Sequence, residues 1–357
     1  MKTIAIFLFI FLFLSATILS GAGHRAMFWE PGPEPQSVQC RLCPRNCLIP
    51  SGSLGFCKAR KNQQGILYAL GYGKPCSVAV DPIEKKPFFH FLPGTRSFSI
   101  ASAGCSLRCK FCQNWQISQF SPEETTNYDL PPEEVVRLAL EKNCASIAYT
   151  YSEPLNFYEY VMDTAAIAKQ KGLKNVMHTA GFVNAEPLEK LAPLLDAVNV
   201  DLKGFTEEYY KNMCGGSLEV VLNSLKILKK AGVWIEITVL IVPGYNDSEE
   251  EIKKLCLWVR KELGENTPVH FSRFYPMYQL THLPATPYAT LEKAYRIAKS
   301  AGLKYVYVGN VAGNPYENTV CPHCGKIVVR RQGFSVLENN IKNGRCKYCG
   351  ARIAGVW

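Results

Sequence analysis

Ala103-Gly104-Cys105-Ser106-Leu107-Arg108-Cys109-Lys110-Phe111-Cys112 decides how this chain is read. Three cysteines stand at C-x3-C-x2-C, directly after the apolar run Phe98-Ser99-Ile100-Ala101. Such a run predicts a strand that feeds a loop. Each iron of a [4Fe–4S] cluster wants a thiolate or a substitute for one. Three cysteines on one loop hold three irons and leave the fourth to something other than protein. The competing reading is a partial zinc or disulfide site, which three cysteines so close serve poorly.

Downstream the chain alternates strand-like and helix-like patterns, as parallel βα units do. Strands are expected at 97–101, 146–151, 175–178, 197–202, 234–242, 269–274 and 305–308. Helices are expected at 131–142, 155–171, 186–195, 218–231, 248–263 and 290–301, with Ser248 and Glu251 as a capping box. The fold class is therefore α/β, with six or seven repeats closing a full or partial (β/α) barrel. Sites on such barrels form at the C-terminal strand ends. Those ends carry the cysteine loop, then Tyr151-Ser152-Glu153-Pro154, His178-Thr179-Ala180-Gly181, Asp201-Leu202-Lys203 and Val242-Pro243-Gly244. Together they point to one pocket facing the cysteines.

With these motifs the chain resembles the radical S-adenosylmethionine (SAM) superfamily. The resemblance implies a fourth iron that chelates the amino and carboxylate groups of SAM. It also implies reductive cleavage to a 5′-deoxyadenosyl radical, which abstracts hydrogen from a substrate. Phe111, before the third cysteine, would lie by the adenine. Within the superfamily the barrel resembles the glycyl-radical activating branch, related to pyruvate formate-lyase activating enzymes. That branch's Gly-Gly-Glu-Pro, which holds the SAM amino group, is replaced by Tyr151-Ser152-Glu153-Pro154. Its Thr-x-Gly-Phe appears as Thr179-Ala180-Gly181-Phe182, and its Asp-Leu-Lys is intact at Asp201-Leu202-Lys203. The resemblance therefore assigns SAM contacts to Phe111, Ser152, Glu153, Thr179, Asp201 and Lys203, the last two by the methionine carboxylate and ribose. Both glycines and a histidine usual near 275–278 are departures. Cys40-Arg41-Leu42-Cys43-Pro44, Gly55-Phe56-Cys57, Asp81-Pro82-Ile83-Glu84-Lys85-Lys86-Pro87, Phe111-Cys112-Gln113-Asn114-Trp115 and the tail cysteines look like the AmmeMemoRadiSam-system radical SAM enzymes. That likeness runs from about Met27 to Trp357.

Four segments are expected: 1–25, a signal peptide or membrane anchor; 26–95, a cysteine-bearing preface; 96–312, the barrel; and 313–357, a zinc-ribbon-like tail. Residues 3–23 are uncharged after Lys2 and nearly all apolar from Ile4 to Leu14, long enough to span a bilayer. They imply membrane association or export; without that signal the chain would be cytoplasmic. Cys40, Cys43, Cys47 and Cys57 could hold one zinc, an auxiliary iron–sulfur cluster or disulfides. Cys321-Pro322-His323-Cys324 and Cys346-Lys347-Tyr348-Cys349 form two Cys-x2-Cys knuckles, near the spacing of a structural zinc ribbon. His90, among aromatics, reads as a packed side chain, and His323 as a knuckle surface residue.

The chain has 357 residues, 47% of them apolar, which permits a full core and excludes extensive disorder. Eleven of its fifteen cysteines fall in tight groups, which favours metal over a disulfide framework. A formal charge of +10 counts every thiol as neutral, and its basic residues are scattered. The function expected is radical SAM hydrogen abstraction, using a [4Fe–4S] cluster, SAM and an electron donor such as a flavodoxin or ferredoxin. Alternatives are a glycyl-radical activase acting on a protein, an RNA-modifying radical enzyme, and a non-catalytic iron–sulfur or zinc scaffold for a protein partner.

Overall fold

The computed structural model describes residues 23–357. The expected leader, apart from its last residues, lies outside them. Among the described residues no helix is long and apolar enough to cross a membrane. Eight strands form the central sheet: β1 (Ser77–Pro82), β2 (Arg96–Ala101), β3 (Ser146–Tyr149), β4 (Lys174–Thr179), β5 (Ala197–Asp201), β6 (Trp234–Ile241), β7 (Val269–Arg273) and β8 (Val306–Gly309). They lie in sequence order, β2 to β8 all parallel and β1 antiparallel on the edge. The end strands do not pair with each other, so the sheet is a partial barrel. It also begins earlier than residue 96, because β1 belongs to it.

Helices α1 (Pro132–Glu141), α2 (Tyr158–Gln170), α3 (Ala185–Leu191), α4 (Leu218–Lys230), α5 (Glu249–Glu262) and α6 (Tyr288–Ser300) fall between or beside these strands. Every residue of β3 is buried, as are all but one of β2 and of β5. Such runs mark parallel strands covered on both faces. Ser248 caps α5 by accepting from the Glu251 amide, but the reciprocal half of the expected box is absent. The Glu251 carboxylate instead accepts from the Phe205 amide at 2.6 Å, tying α5 to the loop after β5.

An open barrel needs something to fill it, and the segment after β1 does so. Ile83, Phe88 and Phe91 pack on Ala148, Val176 and Ala197 of β3 to β5. Glu236, near the start of β6, accepts from the amides of Phe89 and His90 at 3.0 and 2.8 Å. The plug thus sits toward the N-terminal strand ends and leaves the C-terminal ends open. The tail, a small antiparallel sheet of Thr319–Val320, Ile327–Gln332 and Ser335–Asn339, covers the plug. Arg331 donates to the Phe89 carbonyl at 2.7 Å, and His90 contacts the Ala354 carbonyl at 2.6 Å and the Tyr307 hydroxyl. At the other flank His24–Arg25, Ile66–Ala69 and Arg60–Gln63 form one small sheet. A buried Arg60–Glu159 ion pair of 2.6 Å fastens that flank to α2.

Candidate functional site

The cysteine loop between β2 and Trp115 has no regular structure, so its backbone donors need other partners. They have them. Gly104 donates to Ile117 at 2.9 Å, Cys105 to the Cys57 carbonyl at 3.1 Å, and Arg108 and Lys110 to Cys214 and Met213 at 2.8 and 2.9 Å. The Ser106 amide donates to the Asn156 side chain at 2.7 Å. Gly104 has φ of +102°, and a Cβ there would lie 2.6 Å from the Cys57 carbonyl oxygen, so the loop can sit this close only with glycine. Burial pushes the Cys105 thiol far up, and the neighbouring Cys214 thiol together with burial does the same to Cys109. The Cys112 sulfur lies 3.1 Å from the Ser118 hydroxyl.

The strand ends complete the site. Lys203 Nζ lies 2.9 Å from Asp201 Oδ2, and His178 Nε2 lies 3.0 Å from Asp201 Oδ1. Burial opposes the charge on both partners, yet Lys203 and His178 hold the Asp201 carboxyl well below its usual range. Asp201 in turn raises Lys203, against burial. Glu153 is buried, and its carboxylate accepts from the Thr179 hydroxyl at 2.5 Å, the Ala180 amide at 2.8 Å and the Leu155 amide at 3.2 Å. It therefore braces the end of β3 against the Thr179-Ala180-Gly181 turn rather than presenting a free carboxylate. The Ser152 hydroxyl donates to the Ser102 carbonyl. Tyr151 has φ of +67°, a conformation that suits the glycine of the related motif. Its hydroxyl donates to Asp81, which Lys86 also contacts at 2.6 Å, and this anchor holds the strained residue.

These groups meet in one cavity of about 430 Å³, within the range of small-molecule sites. Cys105, Cys109, Cys112, Phe111, Ser152, Glu153, Thr179, Asp201 and Lys203 all border it. Sequence reasoning missed several neighbours. His178 was visible as a strand-end residue but carried no site assignment. Glu84 and Lys85 of the plug lay in a family motif that carried no site assignment, and Phe89, His270 from β7, Asn310 from the loop after β8, and Phe334 of the tail had no local motif to reveal them.

A family model described as the Radical SAM superfamily matches residues 99–256. An uncharacterized protein of Methanocaldococcus jannaschii is 49% identical over 332 residues, 92% of this chain and 98% of the relative. The pyruvate formate-lyase 1-activating enzyme of Escherichia coli is 29% identical over 174 residues, 47% of this chain and 70% of that enzyme. The chain belongs to the radical SAM superfamily. A solved domain of a pyruvate formate-lyase-activating enzyme from Bacteroides vulgatus superposes with a TM-score of 0.42 at 16% identity, covering 46% of this chain and 99% of that one. Radical SAM proteins use a [4Fe–4S] cluster and SAM, and the loop fits such a cluster. Among the described residues, only Cys321, Cys324, Cys346 and Cys349 gather their ligand atoms within 4.8 Å of one another, as a single ion requires. Cys105, Cys109 and Cys112 come from one loop and line one cavity together, as the ligands of such a cluster would. In the tail the Cys321–Cys349 and Cys324–Cys346 sulfurs are 3.7 and 3.8 Å apart. His323 is exposed beside them. Cys40, Cys43, Cys47 and Cys57 border a separate small cavity behind the radical SAM loop. All fifteen cysteines are free.

Proposed function

We propose that the chain is an enzyme that cleaves SAM reductively in the 430 Å³ cavity, with Cys105, Cys109 and Cys112 holding the [4Fe–4S] cluster. The observation that carries this reading is the meeting, in one cavity, of three loop thiols with the Asp201–Lys203 pair. When bound, the cluster and SAM supply a 5′-deoxyadenosyl radical for hydrogen abstraction. The protein's part is to bind, aim and exclude water. Asp201 stays ionised and Lys203 stays protonated, so the strand end presents both charges to the zwitterionic methionine end and the ribose through charge-assisted hydrogen bonds. Glu153 acts as a positioning residue, holding the Thr179 hydroxyl and the Ala180 amide and so fixing the turn that meets the SAM amino group. Phe111 is buried, with its ring centroid 6.2 Å from that of Tyr209, and forms an apolar wall for the adenine.

The substrate class this reading favours is a protein, because a relative 29% identical over 174 residues is a pyruvate formate-lyase 1-activating enzyme, which by its name acts on another enzyme. The electron comes from a small carrier such as a flavodoxin or ferredoxin. The tail's closed four-thiol cage is a structural zinc site in this reading, since four thiolates leave no open position. The test is spectroscopic. The anaerobically reconstituted, reduced chain should give a cluster signal that SAM perturbs. A chain with Cys105, Cys109 and Cys112 all changed to Ala that keeps a SAM-perturbed signal would refute the assignment.

A further inference from the structure

We propose that Thr238, His270 and Asn310 form a row of hydrogen-bond acceptors that binds the backbone N–H groups of a peptide substrate beside the SAM half of the cavity. The inference rests on the SAM-cleaving reading and names the part of that cavity which meets the substrate. The residues assigned to SAM stand at the ends of β2 to β5. Thr238, His270 and Asn310 stand on β6, on β7 and just after β8, and all three border the same cavity. The register sets them side by side. Asp201 pairs with Thr238, and Thr238 with His270. Adjacent strands lie about 4.8 Å apart, which puts His270 about 10 Å along the sheet from Asp201. Asn310 directly follows Gly309, the register partner of Ser272 on β7.

Each member of the row has its hydrogens committed elsewhere. Asn199 donates its side-chain amide to the Pro87 carbonyl at 2.9 Å, so its oxygen is left to accept the Thr238 hydroxyl at 2.8 Å. Thr238 Oγ1 keeps only lone pairs for the cavity. Glu236 sets His270 in the same way. This buried carboxylate accepts from the amides of Phe89 and His90, from Trp234 Nε1 at 3.2 Å and from His270 Nε2 at 2.7 Å. Burial opposes its charge, yet these donors, His270 foremost, hold the carboxyl below its usual range. An ionised carboxylate only accepts, so Nε2 carries a hydrogen, and in the neutral ring Nδ1 holds the lone pair. Four donors already solvate the carboxylate, which therefore needs no imidazolium beside it. The His270 ring stacks on Tyr307 with centroids 5.0 Å apart and meets Phe89 edge to face at 4.8 Å, which fixes its orientation. Nδ1 has no hydrogen-bond partner among the described residues and is not sealed from solvent. Asn310 spends its N–H groups on Ser272 Oγ at 2.9 Å and the Arg273 carbonyl at 3.3 Å, which leaves its side-chain oxygen to accept.

A wall that accepts selects a ligand that donates. A cationic donor is disfavoured, because Lys85 borders the same cavity. Peptide N–H groups donate without carrying charge. Ser272, which also borders the cavity, accepts from Asn310 and keeps its own hydroxyl hydrogen to offer a peptide carbonyl. The row and Ser272 thus match both halves of a peptide unit.

The test uses the full chain with its cluster loaded and oxidised, SAM present and histidines labelled with ¹⁵N. The probe is N-acetylglycine N-methylamide, which presents two peptide N–H groups. The His270 resonances, identified by their loss in His270→Gln, should show Nε2 protonated and Nδ1 bare, and the probe should shift Nδ1. The same probe with both amide nitrogens methylated cannot donate and should leave Nδ1 unmoved. Thr238→Val keeps the shape, removes one acceptor and should weaken probe binding about two- to tenfold. In Glu236→Gln the tautomer should no longer be held, a spectroscopic change that a merely structural carboxylate would not produce. A proton on Nδ1 in the wild type above about pH 7, an equal response to both probes, or no response to either would overturn the row. The cluster signal is followed in the same samples with and without SAM. A cluster that ignores SAM overturns the SAM-cleaving reading; one that responds to SAM while Nδ1 ignores the probe overturns the row alone.

Discussion

At the scale of the residue, the site turns on charges that burial would ordinarily suppress. Asp201 and Lys203 keep theirs because each faces the other, with His178 on the far carboxylate oxygen. Asp201→Asn and Lys203→Met should each leave cluster content unchanged and weaken SAM binding by about 1.5–3 kcal/mol, on the order of ten- to a hundredfold. Titration with SAM while the cluster signal is followed checks this; unchanged affinity in both variants would make the pair merely structural. The Asp-Leu-Lys motif and the cysteine spacing were legible in the sequence, because two residues apart on a strand means the same face. His178 was not, since a lone histidine at a strand end carries no pattern until Asp201 is seen 3.0 Å away. Glu153 was found by its motif, but its bracing of Thr179 and Ala180 needed the register of β3 against β4.

At the scale of the element, the plug is what the sequence concealed. The seven parallel strands announce themselves by apolar runs between amphipathic helices. Ser77-Val78-Ala79-Val80 is apolar enough to read as a strand, but the place of Ser77–Pro82 on the antiparallel edge of the same sheet depends on long-range pairing with β2. The plug's polar joints are accordingly non-local. His90 is buried and neutral, its pKa lowered by burial to about 4 from 6.5. As pH falls, the unfolded chain takes up this proton first, so stability is whole above about pH 6.5 and declines down to about pH 4. Between about pH 7 and about pH 5 the loss is roughly 2 kcal/mol. His90→Gln should remove that part of the acid limb in urea denaturation; parallel wild-type and variant curves would contradict it. Arg331, fully buried, stands 3.7 Å from the equally buried Glu84 and bonds the plug at Phe89. Arg331→Met strands the carboxylate and should cost about 3–5 kcal/mol, part of it recovered in Glu84→Gln/Arg331→Met. Denaturation midpoints of the two variants decide this, and equal stability of single mutant and wild type would refute it.

At the scale of the whole molecule, one cavity is assembled from parts far apart in sequence: the plug, the strand ends and Phe334 of the tail. The tail's four-cysteine group packs through Val328, Val329 and Ile353 against Tyr305, Tyr307 and Phe89, so the tail supports the plug. Cys349→Ser should therefore release one zinc per chain and loosen the tail while the cluster iron remains, read by metal analysis of the intact protein; loss of cluster iron along with the zinc would contradict a purely structural tail. Composition bounded this architecture without locating it, because the contacts between tail and plug join residues more than two hundred positions apart. The central claim is that the cavity cleaves SAM. It is tested most directly by measuring 5′-deoxyadenosine released from SAM by the reconstituted, reduced chain. We predict release that depends on reductant and disappears in Cys105→Ala/Cys109→Ala/Cys112→Ala. No 5′-deoxyadenosine from a chain whose cluster is loaded and responds to SAM would contradict it.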